Sequence, residues 1–152
     1  MIKKIAKGIG VAVLVIVIIF SATIMYTLYK KSCYEDTAVP YIKKVVPQIS
    51  MWDINVMKQY MAPQSLKNTK DEDLSKLFKW FSKLGSLKSI ETPQFQNVTS
   101  SVTTMEGKNT IVNYTVKAHY EKADATITIR LLESGKGFKV YYFNLDSDGL
   151  IQ

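Results

Sequence analysis

The segment Val112-Asn113-Tyr114-Thr115-Val116-Lys117-Ala118-His119-Tyr120, then Glu121-Lys122, then Ala123-Asp124-Ala125-Thr126-Ile127-Thr128-Ile129-Arg130-Leu131, alternates apolar and polar residues on both sides of a short polar break. A period of two with one apolar face marks half-buried antiparallel strands. The apolar positions are even-numbered in the first strand and odd-numbered in the second, so facing residues must sum to an odd number. A turn centred between Lys122 and Ala123 meets that condition. It sets Ala118 against Ile127 and Val116 against Ile129, all on one face, as a single core requires.

The same test extends the sheet in both directions. A hairpin at Ser134-Gly135-Lys136-Gly137 sets Leu131 against Val140 and Ile129 against Tyr142. Upstream, a loop centred on Gly107 sets Val102 against Val112 and Val98 against Val116. Residues 95–104, 110–120, 123–132 and 138–145 thus form one four-stranded antiparallel meander. With Phe138, Val140 and Tyr142 facing the core, Tyr141, Phe143 and Leu145 turn to the outer face, with Arg130 opposite Tyr141. Such an apolar strip is a partner-binding patch, or is covered by the chain end Leu150-Ile151. A bulge near Tyr141 would instead turn some of these side chains inward. The patch reading names Arg130, Tyr141 and Phe143 as contacts.

Ahead of the sheet the period changes to that of helices. Between residues 39 and 61, Ile42, Val45, Val46, Ile49, Trp52, Val56, Met57 and Tyr60 recur every three or four positions. Pro40 suits the first turn, Pro47 predicts a kink or a new start, and Pro63 a stop. A second helix follows, with a capping-box pattern at Thr69 and Glu72, acidic Asp71 to Asp73, and a buried stripe of Leu74, Leu77, Phe78, Phe81 and Leu84. Gly85 reads as its left-handed cap, and Trp80 as packed beside the stripe.

Further upstream, residues 8–29 run for 22 positions without a charge, and 12 of them are Ile, Leu, Val or Phe. A helix of that length reaches roughly 33 Å, enough to cross a hydrocarbon core about 30 Å thick. Its apolar residues favour insertion by about 4–7 kcal/mol, more than Gly10, Ser21 and Thr23 cost. The run is longer than a signal-peptide core and ends without an A-x-A-like cleavage pair, so it reads as a retained anchor. Tyr26, Tyr29, Lys30 and Lys31 match an interfacial exit. A lipobox reading of Cys33 fails because Lys30-Lys31-Ser32 precede it. The slight charge bias puts residues 1–7 in the cytoplasm and the C-terminal domain outside it, on a single-pass inner-membrane protein.

The formal net charge is +7, and the five lysines flanking the anchor leave +2 across residues 32–152, 15 basic against 13 acidic. Most of the basicity therefore belongs to the membrane, and with no nucleic-acid motif present that class is set aside. One cysteine excludes an internal disulfide framework. His119 stands on a polar strand face without companions at metal-ligand spacing, and reads as a surface histidine. Asp146-Ser147-Asp148-Gly149 opens like a calcium loop, but no glutamate follows at position 12, and residues 148–152 read as a solvated tail. Neither a phosphate loop nor a nucleophile–base pair is present.

The chain thus divides into a head (1–7), a transmembrane helix (8–29), a linker (30–38), an α+β domain of two helices on a four-stranded meander (39–147) and a tail (148–152). Two helices with a Trp-bearing stripe, Leu84-Gly85, and a meander ending in Gly137-Phe138-Lys139-Val140 resemble the cystatin-like folds, most closely the NTF2-like superfamily, over residues 35–147. That resemblance implies a curved sheet wrapped on helices. Enzymes of the superfamily place acid–base side chains inside the cone. Here the inward positions are Val112, Val116, Ala118, Ala125, Ile127 and Ile129, with Tyr114, Tyr120 and Tyr142 as the only polar tips. The expectation is a non-catalytic interaction or assembly module of the cell envelope, without cofactor or metal, binding a protein complex or a second copy. The alternative is a small-molecule or lipid-binding domain whose apolar pocket is lined by Tyr114, Tyr120, Tyr142 and Trp52.

Overall fold

A computed structural model describes residues 2–67, 69–103, 107–135 and 137–150, and divides the chain into two units, 1–34 and 35–152. Helix α1, Ile2–Ile49, begins in the first unit and ends in the second. It is the one helix among the described residues that is long and apolar enough to cross a membrane. Three hydroxyls of its uncharged stretch are satisfied within the helix: Ser21, Thr23 and Thr27 each donate to the carbonyl four residues earlier, at 2.8, 2.8 and 2.9 Å. That bonding lowers the cost of polar side chains in an apolar span. Lys30 lies over the Tyr26 ring at 5.8 Å.

The segment 30–38, expected as a linker, is helical, and the helix runs on through Pro40 and Pro47. An internal proline costs about 3 kcal/mol. Ala38, Ile42, Val45, Val46 and Ile49 are fully buried, and each branched side chain contributes about 1.5–3 kcal/mol, which outweighs the two prolines. The expected helix over 39–61 is instead broken after Ile49. Trp52 takes φ +60°, and Asp53 caps the next helix, α2 (Ile54–Tyr60), accepting from the amides of Asn55 at 2.7 Å and Val56 at 3.3 Å. Pro63 starts a short helix, α3 (Pro63–Leu66), rather than acting as a stop. Helix α4 spans Asp71–Phe81 and buries Leu74, Phe78 and Phe81. Thr69 donates back to Ser65 at 3.0 Å, so the capping box does not form. Trp80 stacks on Phe81 of the stripe, with ring centroids 5.8 Å apart, yet stays 43 % exposed.

Five strands form one antiparallel sheet: β1 (Leu87–Ile90), β2 (Gln94–Thr103), β3 (Gly107–Tyr120), β4 (Asp124–Ser134) and β5 (Gly137–Asp146). The four expected strands are present, and β1 is additional. β1 and β2 share one edge of the long β3, which pairs with β4 on its other side; β4 in turn pairs with β5. The inward set is as expected on β3 and β4: Val112, Tyr114, Val116, Ala118, Tyr120, Ala125, Ile127, Ile129 and Leu131 are all buried.

Register departs from the expectation in three places. Across β3 and β4, Val116 faces Ile127 and Ala118 faces Ala125, because the turn centres on Glu121-Lys122, one residue early. The tip amides are claimed by distant carbonyls, Glu121 N–H by Ser86 at 2.9 Å and Lys122 N–H by Leu84 at 3.0 Å. Across β2 and β3, Val98 faces Val112 rather than Val116, and Val102 faces Lys108. The residues after Thr103 and before Gly107 lie outside the described set. Across β4 and β5, Leu131 faces Val140 as expected, and the bulge that the sequence allowed near Tyr141 is present, setting Arg130 opposite Tyr142 and Ile129 opposite Phe143 in place of the unbulged pairing. Phe143 and Leu145 accordingly turn to the core side, half-buried and buried, while Tyr142 turns outward. The tail is not solvated as expected: Asp148–Leu150 forms a short turn with Leu150 buried, and Ser147 Oγ donates to the Asp124 carbonyl at 2.5 Å.

Candidate functional site: the outer face of the sheet

Alternation on three strands builds the outer face. Asn113, Thr115, Lys117 and His119 of β3 lie opposite Arg130, Thr128, Thr126 and Asp124 of β4. Arg130, Thr128 and Thr126 lie opposite Tyr142, Asn144 and Asp146 of β5. The bulge makes the central pair. It places the Arg130 guanidinium 4.8 Å from the centre of the Tyr142 ring, a cation–π contact worth about 0.5–1 kcal/mol at an exposed site. A planar guanidinium lying over a ring keeps its edge donors available in a fork that fits carboxylates. Among the described residues no carboxylate pairs with Arg130.

Beside Arg130 lies a groove of about 390 Å³ lined by Gln96, Asn97, Asn113, Thr115 and Thr128. Its amides are ordered: Asn113 Nδ2 donates to Asn97 Oδ1, and Gln96 Nε2 donates to Thr115 Oγ1 at 2.8 Å. A second groove of about 380 Å³ lies at the other end of the face, around His119. Nδ1 of His119 is 2.7 Å from Asp124 Oδ1, and Nε2 is 3.5 Å from Glu91 Oε1. The hydrogen bond to Asp124, that residue's charge and Glu91 together raise the histidine above its ordinary 6.5. Asp146, Ser147 and Asp148 complete the lining. No group of three metal-ligating side chains occurs among the described residues.

The expected site residues are separated by the bulge. Arg130 is on the outer face, and Tyr142, expected inside, is its partner there, 41 % exposed. Tyr141 sits at the bulge with its carbonyl bound by Ser65 Oγ at 2.6 Å. Phe143 belongs to the core side. Of the expected pocket residues, Tyr114 and Tyr120 are buried, and Trp52 packs its ring on Tyr120, Phe81 and Phe78 with centroids 5.6, 5.9 and 5.9 Å apart. Burial pushes the Tyr120 phenol up to about 12, against the opposing effect of its 2.8 Å hydrogen bond with Ser50. The rings thus pack on one another where a pocket was expected, and a groove of about 520 Å³ lies beside them, lined by Pro47, Met51, Trp52 and Gly85 among others.

Sequence reasoning missed Tyr142 as the outer aromatic. The signal was there in Val140-Tyr141-Tyr142-Phe143, four apolar residues in a row that alternation cannot accommodate without an extra residue in one strand. No protein-family model matches the chain, and neither a curated protein nor a solved structure does.

Proposed function

We propose that this is a single-pass membrane-anchored protein whose α+β domain, of NTF2/cystatin-like type, lies outside the cytoplasm and works by non-catalytic binding in an assembly of the cell envelope. The anchor reading is supported by the uncharged run in α1 and its internally bonded hydroxyls. The binding reading rests on one observation, the Arg130–Tyr142 platform beside a groove of ordered amides. A cation stacked on an aromatic ring is typical of the anchor residues that dominate protein interfaces.

The test is co-isolation of the full-length protein from its native membrane after light cross-linking. Arg130→Glu should remove the captured envelope proteins while thermal melting falls by no more than a few degrees, since both side chains are exposed and only the cation–π contact is lost. Retention of the same proteins by the variant would overturn the reading. The groove beside Trp52 supports a second reading, a site for a lipid or other apolar molecule, because Met51 there is 65 % exposed. Native mass spectrometry of the purified full-length protein would detect a retained ligand of this kind.

A further inference from the structure

The two edges of the sheet are finished differently. On β5, the segment after α2 occupies the edge where the bulge lies: Ala62 N–H donates to the Val140 carbonyl at 2.8 Å, Ser65 to that of Tyr141, and Lys139 Nζ reaches back to the Gln59 carbonyl at 2.8 Å. A bulge, a lysine and a covering segment are the devices by which edges are kept from pairing with other chains. On the opposite side, β1 carries Lys88 and is followed by Glu91. Among the described residues β2 has neither a lysine nor a covering segment, and its one bulge, at Gln96 near its start, leaves Asn97 to Thr103 in regular register with β3. From Thr92 to Met105 there is no charged residue, Pro93 precedes the strand and does not interrupt it, and Val98, Thr99, Val102 and Thr103 favour extended backbone. Among the described residues β2 pairs only with β3, so its outer row of amides and carbonyls has no strand beside it. Gln94, Gln96, Asn97, Thr99 and Ser100 are exposed along it.

We propose that the outer edge of β2 is a self-association site, at which β2 of a second copy pairs antiparallel about a two-fold axis and joins the two sheets. The occupant follows from charge. A strand paired with its own copy brings each charge near an identical one, which is unfavourable, and β2 has no charge to repel. The backbone supplies affinity, as in strand addition generally. The proposal gives a partner to the binding domain proposed above, but stands on strand pairing and does not use the Arg130–Tyr142 platform.

The test uses the full-length protein in detergent micelles, with mass measured by light scattering across a concentration series. The wild type should be dimeric. Ser100→Lys and Ser100→Glu, at an exposed β2 position outside the groove beside Arg130, should each move the dimer–monomer midpoint up at least about tenfold, and an equimolar mixture of the two should restore the dimer as a heterodimer. Circular dichroism melting checks that each variant remains folded. Should either unfold, single cysteines at Asn97, Thr99 and Ser100 in a Cys33→Ser chain replace it: mild oxidation should link at least one across the dimer, and Asn144→Cys on β5 should give no link. A monomeric wild type, a dimer indifferent to both charges, or cross-linking equal on β5 and β2 would overturn the proposal. A dimer broken by Arg130→Glu but not by Ser100→Lys would overturn the edge and leave the outer face as the binding surface.

Discussion

Three positions make contacts that neighbouring sequence does not announce. Gly85 takes φ +81°, and a Cβ there would stand 2.9 Å from both Cβ and Oε2 of Glu121, at the tip of the β3–β4 hairpin. Gly85→Ala should therefore destabilise the domain by about 1–3 kcal/mol, read from urea unfolding of the full chain. Tyr120 and Ser50 share a hydrogen bond with both residues about 4 % exposed, so Tyr120→Phe leaves a buried serine hydroxyl unmatched and should cost about 1–3 kcal/mol by the same measurement. His119 is bound between Asp124 and Glu91, which raises its proton affinity in the folded state. The folded chain then holds more protons than the unfolded one just above 6.5, so this contribution is full below that value and is lost as pH rises through the raised one. The melting temperature should fall with pH across that interval, and His119→Asn should flatten the decline. The need for glycine at position 85 was legible as a helix stop. Its contact with Glu121 was not, because it joins residues far apart in sequence.

At the scale of elements, parity was legible and register was not. Alternation identified the inward residues from Val112 to Tyr120 on β3 and from Ala125 to Leu131 on β4, since one misplaced residue would have turned a whole apolar face to water, but it gave no sign that Thr110 and Leu132 are buried. A shift of two residues preserves the faces, and nothing local distinguishes the two settings; the choice is made by the carbonyls of Leu84 and Ser86. The bulge on β5 has the same origin. Ala62 and Ser65 take the carbonyls of Val140 and Tyr141, and the extra residue lets Val140, Phe143 and Leu145 share the inner side. Phe143→Asp should consequently weaken the fold by about 2–3 kcal/mol, lowering the melting temperature, rather than act as a silent surface change. The break after Ile49 escaped notice because Trp52 continues the helical apolar spacing while its backbone has left the helix.

For the whole molecule, composition spoke clearly about the first unit and weakly about the task of the second. The uncharged run was visible at once, whereas the candidate surface depends on a bulge and on which strand edge is left open. The full-length protein should remain with membranes through an alkaline carbonate wash and be released by detergent. Cys33 is exposed and is the sole cysteine, so a membrane-impermeant maleimide applied to intact cells should label it if the second unit lies outside. Labelling only after lysis would reverse the orientation. The two tryptophans occupy unlike surroundings: Trp52 packs among Tyr120, Phe81 and Phe78, whereas Trp80 lies on Phe81 alone and is the more exposed of the two. Their fluorescence should separate accordingly, with iodide quenching the redder emission of Trp80 first and sparing the bluer emission of Trp52. The chain thus carries a native optical signal for occupancy of the groove at Met51, readable without any attached dye.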